Sequence, residues 1–247
     1  MSVDRRAFLA TAAVSVAGCL SGGDSTPDGY PPAFEETPAP RPVDPSTFPT
    51  ADVRGVAVPL APIEVTYYWY RRREARFADA RGREQYERAR IRGAASSPAP
   101  DGGDDDPVAS WPREDRIVCY CGCPHHLSAL RAATLIADGY ERVYVIDEGF
   151  WEWHDRRYPV AGTEVAVRPE VRTIRGRTDS RHAGETAWAF HDPTGQREAD
   201  PIDDGGRYRL DLSFADVSPS SVVRVGTPEY TVRRPLSSLT EGVVTGP

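Results

Sequence analysis

The sequence contains no lysine, so its 30 basic residues are all arginine, against 37 Asp and Glu and a formal net charge of −7. An acidic chain is poorly suited to nucleic acid as its main partner, because phosphate contacts need positive patches. Abundant carboxylates without lysine are typical of proteins that work in concentrated salt, where screening weakens charge repulsion. A GC-rich genome that favours Arg codons explains the same composition, and both interpretations stay open.

Cysteine, methionine and long apolar runs are also scarce. There are four Cys and one Met, and three of the Cys lie together at positions 119, 121 and 123, which excludes a disulfide-stapled scaffold. The apolar stretch at residues 7–17 is too short to span a bilayer. A hydrophobic content of 39% over 247 residues still predicts one large or two small packed domains.

Residues 1–23 have the features of an export signal. Arg5 and Arg6 precede the apolar stretch, and Val16-Ala17-Gly18-Cys19 resembles a lipobox. In this order the features resemble a twin-arginine (Tat) lipoprotein signal, which implies lipidation of Cys19. We therefore expect an exported protein held by lipid on the outer face of the cytoplasmic membrane. The alternative is a short amphipathic helix of the fold.

The remaining chain divides into three segments. Residues 24–50 hold eight Pro, which disfavours helix and sheet and predicts a semi-rigid tether. Residues 51–162 alternate strand and helix patterns, which predicts an α/β domain with a parallel sheet flanked by helices. Residues 163–247 carry alternating apolar residues and frequent turns, which predicts a small antiparallel β-sandwich.

Two apolar runs in the α/β segment predict buried strands, and one stripe predicts a helix. Residues 116–120 and 143–146 lack alternation, as expected for a sheet covered on both faces. Residues 128–138 carry apolar positions at helical spacing and end before Gly139. In the C-terminal segment, residues 207–214 alternate strictly, and residues 186–190 and 221–225 are further strand candidates.

The most informative stretch runs from the end of the predicted strand at residues 116–120 to the start of the predicted helix at residues 128–138. It contains three Cys and two His within eight residues, in the order Cys119-Tyr120-Cys121-Gly122-Cys123-Pro124-His125-His126-Leu127-Ser128. Backbone amides at a helix N-terminus attract anions and stabilise a nearby thiolate, which is the nucleophilic form of cysteine. The position therefore favours a reactive cysteine that handles an anionic substrate.

Several separated motifs make residues 52–162 resemble a rhodanese domain. Asp79-Ala80-Arg81 with Glu84 and Tyr86 is similar to the family's Asp-x-Arg motif, and Ile117 to Cys121 is similar to its active-site strand. Gly149, Trp153 and Tyr158-Pro159-Val160 resemble its closing motif. The resemblance implies a sulfurtransferase that carries sulfane sulfur as a persulfide on Cys121, from a thiosulfate-type donor to a nucleophilic acceptor.

The same resemblance assigns roles to neighbouring residues. It implies that loop amides between Gly122 and Ser128 stabilise the thiolate and the persulfide, and that Asp79 and Arg81 order the nearby loops. It implies a small sulfur-containing substrate and no cofactor or resident metal. The family's Gly-His-Ile-Pro-Gly has become Ala89-Arg90-Ile91-Arg92-Gly93, and Leu127 replaces a frequent Arg, so the substrate's charge must be met differently, with His125 and His126 as candidates.

Three alternatives to sulfur transfer stay open. The Cys and His residues could bind copper or zinc, although Cys-x-Cys-x-Cys is too tight for a simple tetrahedral zinc site. Cys121 and Cys123 could cycle through a disulfide in an oxidising location. The domain could also be an inactive binding module. Cys119 alone is best explained as a small buried hydrophobe of the strand.

The C-terminal segment weakly resembles the transthyretin-like module of carboxypeptidase regulatory domains. Short turn-rich motifs carry the likeness, namely Ile174-Arg175-Gly176-Arg177-Thr178, Ala183-Gly184-Glu185-Thr186, Thr194-Gly195 and Asp204-Gly205-Gly206-Arg207-Tyr208-Arg209-Leu210. The resemblance implies a spacer or docking role, with a protein partner as one option. Fold alone does not determine function here.

Overall fold

The computed structural model describes residues 28–246. The predicted signal at residues 1–23, the lipidation site Cys19 and the start of the tether lie outside these residues. No helix in the described part of the chain combines the length and the apolar character needed to cross a membrane.

A six-stranded sheet forms the centre of the first half of the chain, in the order β1-β2-β7-β6-β3-β5. The β1–β2 pair is antiparallel and the other pairings are parallel, so the sheet is mixed where the sequence predicted a parallel one. The strands are β1 (Thr50–Val53), β2 (Val56–Ala61), β3 (Arg76–Asp79), β5 (Ala95–Ser96), β6 (Arg116–Tyr120) and β7 (Arg142–Ile146). A separate antiparallel pair joins β4 (Arg90–Ile91) and β8 (Val160–Ala161).

Helices cover both faces of this sheet. They are α1 (Ile63–Arg72), α2 (Arg83–Arg88), α3 (His126–Ala137) and α4 (Gly149–Asp155). Strand β6 is buried on both faces, because Val118 packs in the aromatic core under α1 and α4, whereas Ile117 and Cys119 pack under α3. The continuous apolar sequence of β6 is the consequence of this double burial.

Within the segment predicted to be a semi-rigid tether, residues 34–48 lie along the aromatic face of α1. The Phe34 ring meets the Tyr70 ring edge-on at 5.6 Å, and the Phe48 ring lies 6.1 Å from that of Trp69. The Arg41 amide donates to the Tyr68 hydroxyl at 2.8 Å. The segment contains a short 3-10 helix at Pro45–Thr47, and aromatic side chains between the prolines supply apolar area that is buried on the domain.

The second half of the chain forms two further sheets, which we call the C-terminal sheets. One is antiparallel in the order β11-β10-β13-β14, and the other has the order β12-β9-β15 with a parallel β9–β15 pair. Their elements are β9 (Arg172–Arg177), β10 (Thr186–His191), β11 (Gln196–Pro201), β12 (Arg207–Leu212), β13 (Val222–Gly226), β14 (Thr231–Pro235), α5 (Leu236–Thr240) and β15 (Val243–Val244). Both sheets contribute to one core that contains Tyr208, Leu210 and Leu212, as the alternation on β12 predicted.

The C-terminal sheets touch the α/β half through β11. Ala199 of β11 is fully buried in a small cluster with Cys121, Leu127 and Leu130. The Arg197 guanidinium donates to the Ala99 carbonyl at 3.0 Å. Strand β11 therefore lies directly over the loop between β6 and α3.

Candidate active site

Cys121 follows the last residue of β6 and lies at the carboxyl end of the parallel strands, the edge where α/β sheets place their ligands. Its side chain is 0% exposed. The loop returns to α3 within five residues, so Ser128 in the first turn of that helix reaches back to the sulfur. The strand-loop-helix arrangement that the sequence predicted is thus present.

Two opposing contacts act on the Cys121 sulfur. The thiol donates to the Cys123 carbonyl at 3.1 Å, a bond that only the protonated form makes, and Sγ lies 3.3 Å from the Ser128 hydroxyl. Burial raises the pKa of Cys121, but hydrogen bonds from the Cys123 side chain and from the Ser128 hydroxyl and amide outweigh burial and bring the pKa to about 6. A partial positive potential at the helix N-terminus acts in the same direction.

Asp79 and Arg81 form a fully buried ion pair beside the loop. Arg81 donates from Nε to Asp79 Oδ1 at 2.9 Å and from a terminal nitrogen to Oδ2 at 2.6 Å. It also donates to the Ala89 carbonyl at 2.6 Å and lies 4.3 Å over the Phe150 ring. The guanidinium of Arg81 is thus paired with Asp79 and hydrogen-bonded within the protein. Such contacts are expected of a residue that orders nearby loops.

The start of α4 contacts the loop between β6 and α3. The Phe150 amide donates to the Cys121 carbonyl at 2.8 Å. Gly149 has φ +79°, and a Cβ at this position would lie 2.8 Å from the Cys123 carbonyl oxygen. Only glycine combines this backbone conformation with so close an approach.

The other predicted loop residues differ in their surroundings. Leu127 is buried in the Cys121 cluster, Gly122 is buried and Pro124 is exposed. His125 lies 3.6 Å from Asp147, and burial, opposed by this carboxylate, lowers the pKa of His125. A neutral His125 is a weaker partner for an anion than the sequence analysis expected.

Cys119 points into the core under α3, and burial raises its pKa to about 12. This agrees with its interpretation as a buried hydrophobe. The cysteines at 119, 121 and 123 all carry free thiols.

Sequence reasoning missed two residues that reach the loop from β11. Glu198 Oε1 lies 3.6 Å from Cys123 Sγ, and Asp200 Oδ1 lies 3.5 Å from His126 Nε2. Burial raises the pKa of Glu198 well above its usual range. Both residues follow the loop by more than 70 positions and carry no local motif, so only the tertiary packing of β11 reveals them.

A cleft with a volume of about 230 Å³ opens beside the contact between β11 and the loop. Its walls come from the β1–β2 hairpin, from the start of α3 and from β10 and β11, and they include Arg54, His125, His126, Thr186, Ala199 and Asp200. The cleft is the open space next to the Cys121 cluster.

The family model of the rhodanese-like domain matches residues 67–156. These residues form a rhodanese-like domain. The match spans β3 to β7 and helices α2 to α4, and therefore contains Cys121 and the complete loop. The β1–β2 hairpin and the C-terminal sheets lie outside it.

Three solved structures resemble part of this chain. The BH2092 protein of Bacillus halodurans is 24% identical, with a TM-score of 0.38, over 42% of this chain and 77% of its own. The rhodanese-like domain of the Anabaena Alr3790 protein is 20% identical, with a TM-score of 0.40, over 49% of this chain and 87% of its own. A thiosulfate sulfurtransferase of Pseudomonas aeruginosa is 20% identical, with a TM-score of 0.36, over 42% of this chain and 20% of its own. Comparison with curated proteins gives no match.

Proposed function

We propose that the rhodanese-like domain is a sulfurtransferase that carries sulfane sulfur on Cys121. The observation that carries the proposal is the placement of Cys121 Sγ at the end of β6, 3.3 Å from the hydroxyl of Ser128 in the first turn of α3. Thiolates are nucleophiles, and this position favours one. The family match over residues 67–156 supports the same chemistry.

The proposed reaction has two steps. The Cys121 thiolate attacks the outer sulfur of thiosulfate, an S–S bond forms to Cys121, and the S–S bond of thiosulfate breaks as sulfite leaves with the electron pair. A nucleophile such as cyanide or a thiolate then attacks the outer sulfur of the persulfide and releases the Cys121 thiolate. No oxidant or reductant is consumed in either step.

Access to Cys121 requires a movement of β11 relative to the loop, because the side chain is fully buried beneath Ala199. The cleft beside His126 and Ala199 borders the buried cluster and offers a route for a small anion. Arg54 contributes a positive charge to the cleft wall, which also contains the carboxylates of Asp52 and Asp200. In this proposal the C-terminal sheets, arranged as a β-sandwich, cover the reactive cysteine in addition to serving as a spacer.

Cyanolysis tests the proposed activity directly. With thiosulfate and cyanide, the wild-type chain is expected to release thiocyanate at a rate that falls to background in Cys121→Ser. The matched control is Cys119→Ala, which removes a thiol two residues away but outside the site and should retain activity. A wild-type rate no higher than that of Cys121→Ser contradicts the proposal.

We also propose that the protein is exported and anchored by a lipid on Cys19, on the basis of Arg5, Arg6 and the lipobox-like residues before Cys19. Replacement of Arg5 and Arg6 by Lys should retain the precursor in the cytoplasm. Cys19→Ser should move the exported protein from the membrane fraction to the medium. An unchanged membrane association in Cys19→Ser would exclude the anchor.

A further inference from the structure

Cys123, His126 and Glu198 bring three potential metal-ligand atoms together where the loop meets β11. Cys123 Sγ lies 3.6 Å from His126 Nδ1 and 3.6 Å from Glu198 Oε1. All three atoms lie within 4.8 Å of one another. Two of the ligands come from the loop and the third from a distant strand, so the cluster depends on the packing of the C-terminal sheets.

The two distances measured from Cys123 Sγ match tetrahedral zinc. Zinc binds thiolate sulfur at about 2.3 Å and imidazole nitrogen or carboxylate oxygen at about 2.0–2.2 Å. At a tetrahedral angle these bond lengths place the sulfur roughly 3.6 Å from either of the other two atoms. The mixed sulfur, nitrogen and oxygen set also favours Zn²⁺ over Cu(I), because the softer ion prefers ligand sets made of thiolates and thioethers.

The surroundings of Glu198 point to a cation. The residue is 3% exposed, and no arginine within residues 28–246 forms an ion pair with it. Its oxygen accepts from the Ala199 amide at 3.0 Å and meets Cys123 Sγ. Buried carboxylates are ordinarily paired with a basic group or bound to a metal, and this one is aimed at a thiol and an imidazole.

His126 has the outer contact that zinc-binding histidines usually make. Its Nδ1 faces Cys123, while its Nε2 lies 3.5 Å from Asp200 Oδ1. A carboxylate on the second ring nitrogen fixes the tautomer and the ring orientation and makes the first nitrogen a better ligand. Asp200 is held in turn by the Arg209 amide at 2.7 Å.

We propose that Cys123, His126 and Glu198 form a zinc site that links the active-site loop to β11. Asp200 is its positioning residue. Bound zinc holds the C-terminal sheets over Cys121, so zinc loading and access to the buried cysteine oppose each other. The site itself does not depend on sulfur transfer by Cys121.

Metal titration of the reduced, chelator-treated full chain tests the site. We expect one equivalent of Zn²⁺ to bind, and Co²⁺ in its place to give the visible bands of a tetrahedral ion and a thiolate charge-transfer band. Cys123→Ser should abolish the charge-transfer band. His126→Ala and Glu198→Gln should each weaken binding at least about 10-fold, and Asp200→Asn about 10- to 100-fold.

Two control variants distinguish the proposed site from metal binding by neighbouring residues. His125→Ala removes the adjacent histidine, which contacts Asp147 instead, and should bind as the wild type does. Cys121→Ser should also keep one equivalent, so metal binding can be scored in a chain that cannot transfer sulfur. Thermal unfolding without metal verifies that each variant folds, and Zn²⁺ should raise the midpoint only where the three ligands are present.

Zinc should also protect Cys121 in the wild type. Chelation is expected to increase the alkylation rate of Cys121 several-fold, and Zn²⁺ should reverse the increase. Substoichiometric binding, or wild-type affinity in Glu198→Gln, would overturn the proposed site. Binding lost in Cys121→Ser but retained in Glu198→Gln would also overturn it, because the metal would then be held by the thiols of Cys121 and Cys123.

Discussion

The Cys121 sulfur lies 3.3 Å from the hydroxyl of Ser128, which places the proposed nucleophile against the first turn of α3. The hydroxyl can donate to the thiolate, and hydrogen bonds to charged groups contribute about 1.5–3 kcal/mol. Ser128 is therefore, with Cys123, one of the two side chains whose hydrogen bonds lower the pKa of Cys121.

Ser128→Ala is expected to raise the pKa of Cys121, because the variant removes a group that lowers it. The thiolate fraction at neutral pH then falls, and the rate of sulfur loading at that pH should drop about 2- to 15-fold. The pH dependence of the thiolate absorbance in chelator-treated protein measures the pKa. Thr134→Ala near the other end of α3, where the hydroxyl donates to Leu130, is the control, and equal effects of both variants would contradict the assignment.

Asp79→Asn should destabilise the fold strongly. Arg81 and Asp79 are almost completely buried, and removal of one charge leaves the other uncompensated, at a cost of about 3–5 kcal/mol. Urea unfolding at neutral pH measures the loss. Arg83→Ala breaks the exposed pair with Glu87 and should cost less than about 1 kcal/mol. A small effect of Asp79→Asn would mean that the pair does not order these loops.

Gly149→Ala tests the close approach of α4 to the loop. The new Cβ would lie 2.8 Å from the Cys123 carbonyl oxygen, so the variant should lose both stability and Cys121 reactivity. Gly139→Ala has a similar φ, +88° against +79°, with nothing within 4 Å of the new Cβ. It should lose only the stability that backbone strain explains, about 1–3 kcal/mol. Equal reactivity in the two variants would show that Gly149 does not position the loop.

Cys123→Ser separates sulfur transfer from thiol-disulfide cycling. If Cys121 alone carries the sulfur, the variant should still gain one sulfur from thiosulfate in a mass spectrum. If the two cysteines work as a redox pair, the variant should lose turnover. Serine keeps the size of the side chain, so the comparison removes the thiol with little change in packing.

The sequence was most informative where structure is local. Residues 116–120 form β6 as predicted, because a short continuous apolar run is typical of a strand covered on both faces, and the loop after it contains Cys121, the proposed nucleophile. The prolines of residues 28–49 indicated an extended segment, but not that Phe34 and Phe48 would bury it against α1. Glu198 and Asp200 could not be found, because their place over Cys123 and His126 follows from how β11 packs on α3, and no motif encodes that contact.

The central claim is that Cys121 accepts sulfur, and an intact-mass spectrum after incubation with thiosulfate tests it most directly. The account predicts a gain of one sulfur atom, located on Cys121 by peptide mapping, removed by cyanide and missing in Cys121→Ser. A chain whose mass does not change after chelation and incubation with thiosulfate, or whose added sulfur maps to Cys119 or Cys123, would contradict it.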